Sequence, residues 1–249
     1  MSGVLGSQEE WDRGYEGYPL AAAGADDPVR RWLEDRFRGG SGACLELGCF
    51  PGRFLAVFGE LGYELHGVDR THRTATELAP WLAGRGHRIG EIVQADFFAH
   101  RFARQYDVVC SFGVIEHFVD WASFLERQAA LVAPGGRLVV TAPNFRGWLQ
   151  RGIHRWLDSA NYARHCIDAM RPAAWAAHLA ARGWEIVEHG GLGAFEYWVE
   201  PAERGPWQRS GVRLIDTLQE PLRRLAPEGA LWCCPYLRLL ARRPETMPA

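Results

Sequence analysis

Three carboxylates in the first hundred residues stand at places where a parallel sheet binds ligands. Glu46 heads a glycine-rich stretch, Asp69 follows the next apolar run, and Asp96 follows the run after that. Carboxylates at the carboxyl ends of successive strands meet at one edge of the sheet, where open α/β folds bind their ligands. Asp69 can accept the two hydroxyls of a ribose there, and Asp96 with its neighbour Phe97 suits an adenine amino group and ring.

The stretch Glu46-Leu47-Gly48-Cys49-Phe50-Pro51-Gly52 is typical of a turn from a strand into a helix. Its glycines let the backbone approach a ligand closely, and the helix start presents unpaired N–H groups. The charge of Glu46 would repel a pyrophosphate and attract an ammonium or another cationic group. A nucleotide-dependent dehydrogenase is therefore a poor match, because it needs a G-x-G-x-x-G turn and a phosphate-binding loop.

Histidine is the side chain best suited to move a proton near neutral pH, and two histidines fall at informative places. His117, with Glu116 before it, follows the fourth apolar run and should lie at the same edge of the sheet. His165 and Asp168 lie in a later, irregular segment. Each of the four is a candidate catalytic or substrate-orienting residue, and each has a purely structural alternative. The chain has no lysine that could act as a base.

Short apolar runs alternate with amphipathic stretches along the chain, which is typical of βαβ units and a parallel sheet. The predicted strands cover 43–47, 63–69, 91–94, 107–111, 137–141, 184–188 and 231–241. The predicted helices cover 52–61, 71–82 with a bend at Pro80, and 173–182, and two more begin after the caps Asp27 and Asp120.

Five motifs then occur in the order found in class I S-adenosylmethionine-dependent methyltransferases, and the chain resembles that family over residues 43–142. They are the stretch 46–52, the acid of Gly67-Val68-Asp69, the acid of Gln94-Ala95-Asp96, the Glu-His segment 111–120 and the turn 133–136. The resemblance weakens through 171–199 and again at 231–243. One position departs from the family: Phe50 stands where a third glycine is usual, which reshapes the loop at the methionine end of the cofactor.

The resemblance implies an α/β fold with three layers, α/β/α, around a mainly parallel seven-stranded sheet. The implied strand order is 3-2-1-4-5-7-6, with an antiparallel last strand. It also implies a single methyltransferase domain over residues 1–249. In that domain, residues 1–25 are an arm that closes over the cofactor, and 145–170 and 200–228 are inserted segments that cover the acceptor.

The resemblance further implies transfer of a methyl group from S-adenosylmethionine to an oxygen or nitrogen of a small organic acceptor, with S-adenosylhomocysteine as product. Specialised metabolism is the expected setting. The residues expected to bind the cofactor are Trp11, Tyr15, Tyr18, Glu46, Gly48, Cys49, Gly52, Asp69, Arg70, Asp96, Phe97, Phe112 and Gly113. The catalytic candidates remain His117, Glu116, His165 and Asp168. The six cysteines form no C-x-x-C pair, and no metal is expected.

Composition narrows the range of partners. The net charge of the 249 residues is −2, which argues against a nucleic-acid acceptor. No stretch approaches the roughly 20 apolar residues that span a bilayer, and no signal peptide is evident at the N-terminus. We therefore expect a cytoplasmic monomer or homodimer that does not bind membranes. A protein or peptide acceptor stays open, as does a non-catalytic, cofactor-binding regulatory protein.

Overall fold

The computed structural model describes residue 5 and residues 8–200 and 204–246 of the chain. Within these residues the strands are β1 (Ala43–Leu47), β2 (Glu64–Asp69), β3 (Ile89–Gln94), β4 (Tyr106–Phe112), β5 (Val132–Pro143), β6 (Glu185–Leu192) and β7 (Tyr236–Arg242). They form one sheet with the order β3-β2-β1-β4-β5-β7-β6. β7 runs antiparallel to both β5 and β6, whereas the other neighbours are parallel. The predicted strand order and the antiparallel last strand are confirmed.

Nine α-helices accompany the sheet in the same ranges. They are α1 (Gln8–Tyr15), α2 (Pro28–Phe37), α3 (Arg53–Glu60), α4 (Ala79–Gly84), α5 (Trp121–Leu131), α6 (Trp148–Leu157), α7 (Ser159–Ala163), α8 (Pro172–Ala180) and α9 (Pro206–Leu225). Among the helices described, none combines the length and the apolar character needed to cross a membrane.

Helices cover both faces of the sheet, which gives the three predicted layers. On one face, Phe124 of α5 and Trp175 of α8 belong to a buried cluster with Leu45 and Leu47 of β1. On the other face, the cluster contains side chains of α2, α3 and α4. Every residue of β1 is buried as a result. The strand-end residues of β1, β2 and β4 are thereby fixed by packing from two sides.

Asp27 caps α2 as the sequence predicts. Its Oδ1 accepts the N–H groups of Val29 (2.8 Å) and Arg30 (3.2 Å), and its Oδ2 accepts Nη2 of Arg53 at 2.8 Å. We expect Asp27→Ala to lower the free energy of unfolding by about 1–2 kcal/mol, because a lost cap leaves helix N–H groups unpaired. Urea titration measures the change, with exposed Asp26→Ala as the control. Equal stabilities of the two variants would show that the cap contributes nothing.

Three predicted strand boundaries are wrong by four or five residues: the starts of β5 and β7, and the end of β6, which runs to Leu192 rather than to 188. The last strand begins at Tyr236 rather than at 231, because the N–H groups of Cys233 and Cys234 bond to the Ala230 carbonyl and form a turn. β5 begins earlier than predicted: it includes the Pro-Gly-Gly turn, and its pairing with β4 shifts register there. The helix predicted over 71–82, broken or bent at Pro80, is a π-helical turn, Thr74–Leu78, that runs directly into α4, and Pro80 lies in the first turn of α4.

The two segments that the sequence marks as insertions are largely helical. Residues 145–170 contain α6 and α7, and α9 occupies most of the second segment. A small core of its own joins α6, α9 and the stretch after β6, with Ile153, Leu157, Phe195 and Tyr197 at its centre. A role of these segments in covering an acceptor stays a prediction.

Candidate active site

A cavity of about 930 Å³ lies at the carboxyl ends of β1, β2, β3 and β4. This volume is near the upper end of the roughly 300–1,000 Å³ typical of small-molecule sites, so a second, small ligand fits beside a nucleoside-sized one. The lining residues are Trp11, Tyr15, Gly48, Phe50, Asp69, Arg70, Thr71, Asp96, Phe97, Phe98, Phe112, Gly113, Val114, His117, Phe118, Asp120 and Ser123. Most of the residues predicted to bind the cofactor are among them.

The glycine-rich loop after β1 forms one wall of the cavity. The N–H groups of Gly48 and Cys49 donate to the Val68 carbonyl at 2.9 and 3.3 Å, which holds the loop against the end of β2. Gly48 has φ +75°, and a Cβ at this position would lie 2.6 Å from Cγ2 of Val114. Only glycine adopts this positive φ and fits beside Val114 without strain, so Gly48 allows the loop to take this position at the cavity wall.

Phe50, the residue that departs from the family pattern, does not close the loop. Its ring packs edge-on against Tyr15, with the centroids 5.2 Å apart, and the guanidinium of Arg73 lies 5.0 Å from its centroid. The Phe50 side chain therefore lines the cavity and also packs against α1. Its backbone N–H donates to Asp69 at 3.1 Å. The bulky side chain thus contributes to docking of the N-terminal helix.

Asp69 lies at the end of β2, as predicted, with both carboxylate oxygens engaged by backbone. Oδ1 accepts the N–H of Thr71 at 2.8 Å, and Oδ2 accepts the N–H of Phe50 at 3.1 Å. Burial raises the pKa of this carboxyl, and these hydrogen bonds oppose the rise. An ionised carboxylate offers about four lone-pair sites, so these two backbone hydrogen bonds leave room for further donors from the cavity.

Glu46 lies behind the glycine-rich loop, and it is not among the lining residues of the cavity. It is 4% exposed, and its Oε2 has no hydrogen-bond partner among the residues described. Burial and the nearby charge of Asp69 raise its pKa well above the usual range, and the Leu55 N–H at the start of α3 opposes this. Cys49 and Gly52 also lie behind the lining. A contact between Glu46 and a cationic ligand stays a prediction.

Asp96 and two phenylalanines form the far wall, beyond β3. Asp96 is exposed to the cavity, and its Oδ1 accepts the N–H of Phe98 at 2.9 Å. Phe97 is 7% exposed and packs edge-on against Phe118 and Phe124, so its ring belongs to the core as well as to the lining. Phe98 is 40% exposed. Of the two rings, Phe98 is the one available to a planar ligand.

The N-terminal helix α1 lies across the cavity. Trp11 and Tyr15 line the cavity, whereas Tyr18 is exposed and packs edge-on against Tyr15. The ring of Trp11 stands edge-on to His117, with the centroids 4.6 Å apart. Arg73 donates to the Tyr15 carbonyl at 2.6 Å. Docked in this way, α1 separates one side of the cavity from solvent.

Glu116, His117 and His165 lie close together at the end of the cavity that His117 lines, and a catalytic role for them stays a prediction. One ligand atom from each lies within 4.8 Å of the others, and His117 lines the cavity. Asp168 is not part of this cluster. Its side chain is 81% exposed and pairs with Arg171 at 2.6 Å and with Arg146 at 3.6 Å, and Arg171 lowers its pKa.

Burial shifts the protonation of all three clustered groups toward their neutral forms. It raises the pKa of Glu116 to about 8 and lowers the pKa of His117 to about 3. The pKa of His165 is lowered to about 4, also chiefly by burial. Both imidazoles are therefore neutral at pH 7, which is the form that accepts a proton or binds a cation.

Some lining residues were not identified from the sequence. Phe98, Val114 and Phe118 are apolar, and Thr71, Asp120 and Ser123 carry small polar groups. All of them except Ser123, which lies in the first turn of α5, are within four residues of a predicted site residue. Two consecutive aromatic residues, Phe97 and Phe98, after the carboxylate of Asp96 were the available signal for this wall.

Comparison with known proteins agrees with the fold. Residues 21–189 match a family described as a methyltransferase domain. A ubiquinone biosynthesis O-methyltransferase of Rhodopseudomonas palustris (strain HaA2) is 28% identical over 168 residues, covering 59% of this chain and 60% of that protein. The protein of the same name from Acinetobacter baumannii (strain AYE) is 31% identical over 212 residues, covering 77% of this chain and 85% of that protein.

A solved structure shows the same fold. The N-methyltransferase NodS from Bradyrhizobium japonicum WM9, in complex with S-adenosylhomocysteine, superposes with a TM-score of 0.52 at 14% identity and covers 97% of this chain and 95% of that one. The sheet order and the cavity at its carboxyl edge define the class I methyltransferase fold. The chain belongs to the methyltransferase domain family.

Proposed function

We propose that this chain transfers the methyl group of S-adenosylmethionine to an oxygen of a small organic acceptor. The main support for the proposal is one cavity that lies beneath α1. It reaches from Asp69, at the end of β2, to the Glu116–His117–His165 cluster. The two relatives named above are O-methyltransferases, which favours oxygen over the nitrogen alternative. The chain spans only 60% of the first of them, so the acceptor is proposed here as a class and not as a named compound.

The residues present fit S-adenosylmethionine. Asp69 keeps lone pairs for the two ribose hydroxyls, and Gly48 presents loop backbone without a side chain to the cavity. Asp96 and Phe98 offer a carboxylate and an exposed ring to the adenine. The unpartnered oxygen of Glu46 supports a positively charged group at the loop. The set resembles a nucleoside site with an anionic loop, and it does not resemble a phosphate site.

When bound, S-adenosylmethionine supplies a methyl group on a positively charged sulfur. The chain's own residues then have three tasks: to align the acceptor, to exclude water and to handle its proton. Alignment alone accounts for about 7–11 kcal/mol of barrier in favourable model reactions. The rings of Trp11 and Tyr15 exclude water from the cavity, and aromatic faces stabilise a neighbouring cation. The acceptor is oriented at the end that His117 lines.

The proposal is tested by transfer of a labelled methyl group. Purified full-length protein is incubated with methyl-labelled S-adenosylmethionine and separate pools of phenols, catechols, hydroxy acids and amines, followed by mass spectrometry. Label in a hydroxyl-bearing acceptor, with one S-adenosylhomocysteine formed per methyl group, supports the proposal. Label found only in amines or in added peptides contradicts the oxygen acceptor. Cofactor binding without transfer to any pool indicates a non-catalytic partner protein.

The position of α1 against the cavity leads to a separate prediction. Trp11→Ala should weaken binding of S-adenosylhomocysteine by about 10-fold, because removing a cavity-lining aromatic side chain costs on the order of 1–2 kcal/mol in binding. Trp207→Ala is the matched control, since Trp207 is 85% exposed and lies in α9, away from the cavity lining. Calorimetry measures both affinities. Equal affinities in the two variants would mean that α1 does not close over the ligand.

A further inference from the structure

The cluster at the acceptor end of the cavity has the donor set of a metal site. His117 and His165 each place Nδ1 against a backbone carbonyl, of Arg164 at 3.1 Å and of Asn161 at 2.6 Å respectively. A carbonyl oxygen only accepts, so Nδ1 carries the hydrogen in both rings. In a neutral imidazole the other nitrogen, Nε2, then keeps its lone pair. This is the tautomer and the outer contact that metal-binding histidines usually show.

Glu116 supplies the third donor and lacks the partner that a buried carboxylate requires. The residue is 1% exposed, and Oε2 has no hydrogen bond to any described part of the chain. Its Oε1 lies 4.0 Å from Nε2 of His117. A buried polar atom without a partner is costly, and a bound cation would remove that cost. The neighbouring guanidinium, that of Arg164, is itself paired with Glu200 at 2.5 Å.

The cluster can also be reached from the cavity. His117 lines it, and so does Gly113, which lacks a side chain directly in front of Glu116. A Cβ at Gly113 would stand 3.4 Å from Oε1 of Glu116. Bonds to zinc are about 2.0–2.2 Å long, so side-chain rotations that move the ligand atoms by about 1 Å would bring all three onto one ion. Positions facing the cavity would remain open.

We propose that Glu116, His117 and His165 bind one zinc-like divalent cation that holds the oxygen of the methyl acceptor. Two imidazoles and one carboxylate suit Zn²⁺ and the neighbouring first-row ions, whereas Mg²⁺ prefers oxygen ligands throughout. The sequence does not predict this site, because His165 is far from the Glu-His pair along the chain and reaches it only through the fold. The catalytic part of this inference rests on the proposed function, and the metal site itself does not.

The cation would make the acceptor a better nucleophile. Coordination lowers the pKa of a bound hydroxyl, as it does for bound water, so the acceptor loses its proton to solvent and stays on the metal as an oxyanion. The oxygen lone pair then forms the bond to the methyl carbon, and the carbon–sulfur bond breaks. Sulfur leaves as a neutral thioether. In this arrangement His117 is a ligand and not a general base.

The test measures metal content directly. Full-length protein without an affinity tag is stripped with a chelator, dialysed against Zn²⁺ and analysed by atomic emission, alongside His165→Gln and the control His178→Gln. His178 is a histidine outside the cavity, next to Glu126. Wild type and the control should each hold about one Zn²⁺. His165→Gln should lose more affinity for Zn²⁺ than the about 10–100-fold that is typical when an outer-shell contact is changed, because it removes a direct ligand. Binding of S-adenosylhomocysteine by His165→Gln should be retained, which shows that the variant is folded.

A second measurement keeps the proposal testable if His165→Gln does not fold. Co²⁺ added to the stripped wild-type protein should give visible d–d absorption without a strong thiolate charge-transfer band, and Cys166→Ser should leave that spectrum unchanged. Wild type that holds only background Zn²⁺, or equal zinc in His165→Gln, overturns the metal site. If methyl transfer continues in that case, the proposed function stands. Zinc bound without any S-adenosylhomocysteine binding would keep the metal site and refute the proposed function.

Discussion

Replacing Asp69 by alanine is expected to weaken binding of S-adenosylmethionine by at least about 100-fold. In the proposed site Asp69 accepts both ribose hydroxyls, and hydrogen bonds to a charged group contribute about 1.5–3 kcal/mol each. The loss of two such bonds corresponds to about 3–6 kcal/mol, or about 10²–10⁴ in affinity. The same change removes the acceptor of the Phe50 and Thr71 N–H groups, which loosens the loop as well.

The matched control for Asp69 is Asp26→Ala, which removes an exposed carboxylate ahead of α2 and far from the cavity lining. Titration calorimetry with S-adenosylhomocysteine gives both affinities, and thermal unfolding of the free proteins checks that each is folded. Asp26→Ala should match the wild type. An Asp69→Ala protein that is folded and loses less than about 3-fold, or about 0.7 kcal/mol, in affinity would place the ribose elsewhere.

Gly48→Ala is expected to lower the free energy of unfolding by about 2–5 kcal/mol and to weaken cofactor binding. The left-handed backbone at Gly48 costs a residue with a Cβ about 1–2 kcal/mol. Contact with Cγ2 of Val114, which a Cβ would approach to 2.6 Å, adds the about 1–3 kcal/mol typical of overpacking. Because the loop must move to relieve this contact, the wall of the cavity moves with it.

Gly86→Ala separates these two contributions. Gly86 has φ +82°, close to that of Gly48, but a Cβ there has no atom within 4 Å in the described structure. It should therefore show only the backbone cost of about 1–2 kcal/mol. The double variant Gly48→Ala/Val114→Ala should recover part of the stability lost by Gly48→Ala, as a double-mutant cycle would detect. Additive effects of the two substitutions would show that Val114 is not the obstacle.

The part of the fold that was predictable is the part with strong local signals. Carboxylates and glycines at strand ends mark β1, β2 and β3, and the strand order followed from the resemblance that these residues carry. The start of β7 was not predictable, because Cys233 and Cys234 are as apolar as a strand and only a turn to Ala230 removes them from it. Apolar character alone does not distinguish a buried turn from a buried strand.

The positions of some candidate site residues were likewise predictable from local signals, and the positions of others were not. Asp69 was predictable because a strand end fixes both its position and its direction. The location of Glu46 behind the loop depends on which face of β1 its side chain leaves, and its neighbours Leu45 and Leu47 pack on the opposite face. Asp168 was predicted near the site from its segment, yet a short turn directs it to Arg171 at the surface. Tertiary contacts decide these side-chain orientations, and no local sequence pattern predicts them.

The proximity of His165 to Glu116 and His117 also depends on tertiary contacts. The Cys166 N–H donates to the Glu116 carbonyl at 2.7 Å and His117 Nδ1 donates to the Arg164 carbonyl at 3.1 Å, and these contacts hold the segment after α7 at the end of β4. His165 next to it then reaches the cluster. From the sequence, each residue could be proposed as a base by itself, but their combination into one donor set required the fold.

The most direct measurement is calorimetric titration of the full-length wild-type protein with S-adenosylhomocysteine and S-adenosylmethionine. We expect about one site per chain with micromolar affinity for both ligands and much weaker binding of adenosine diphosphate, because the carboxylates of Asp69 and Asp96 line the cavity and repel a pyrophosphate. A folded protein that binds neither sulfur compound, or that prefers the diphosphate, would contradict the assignment of this cavity to S-adenosylmethionine.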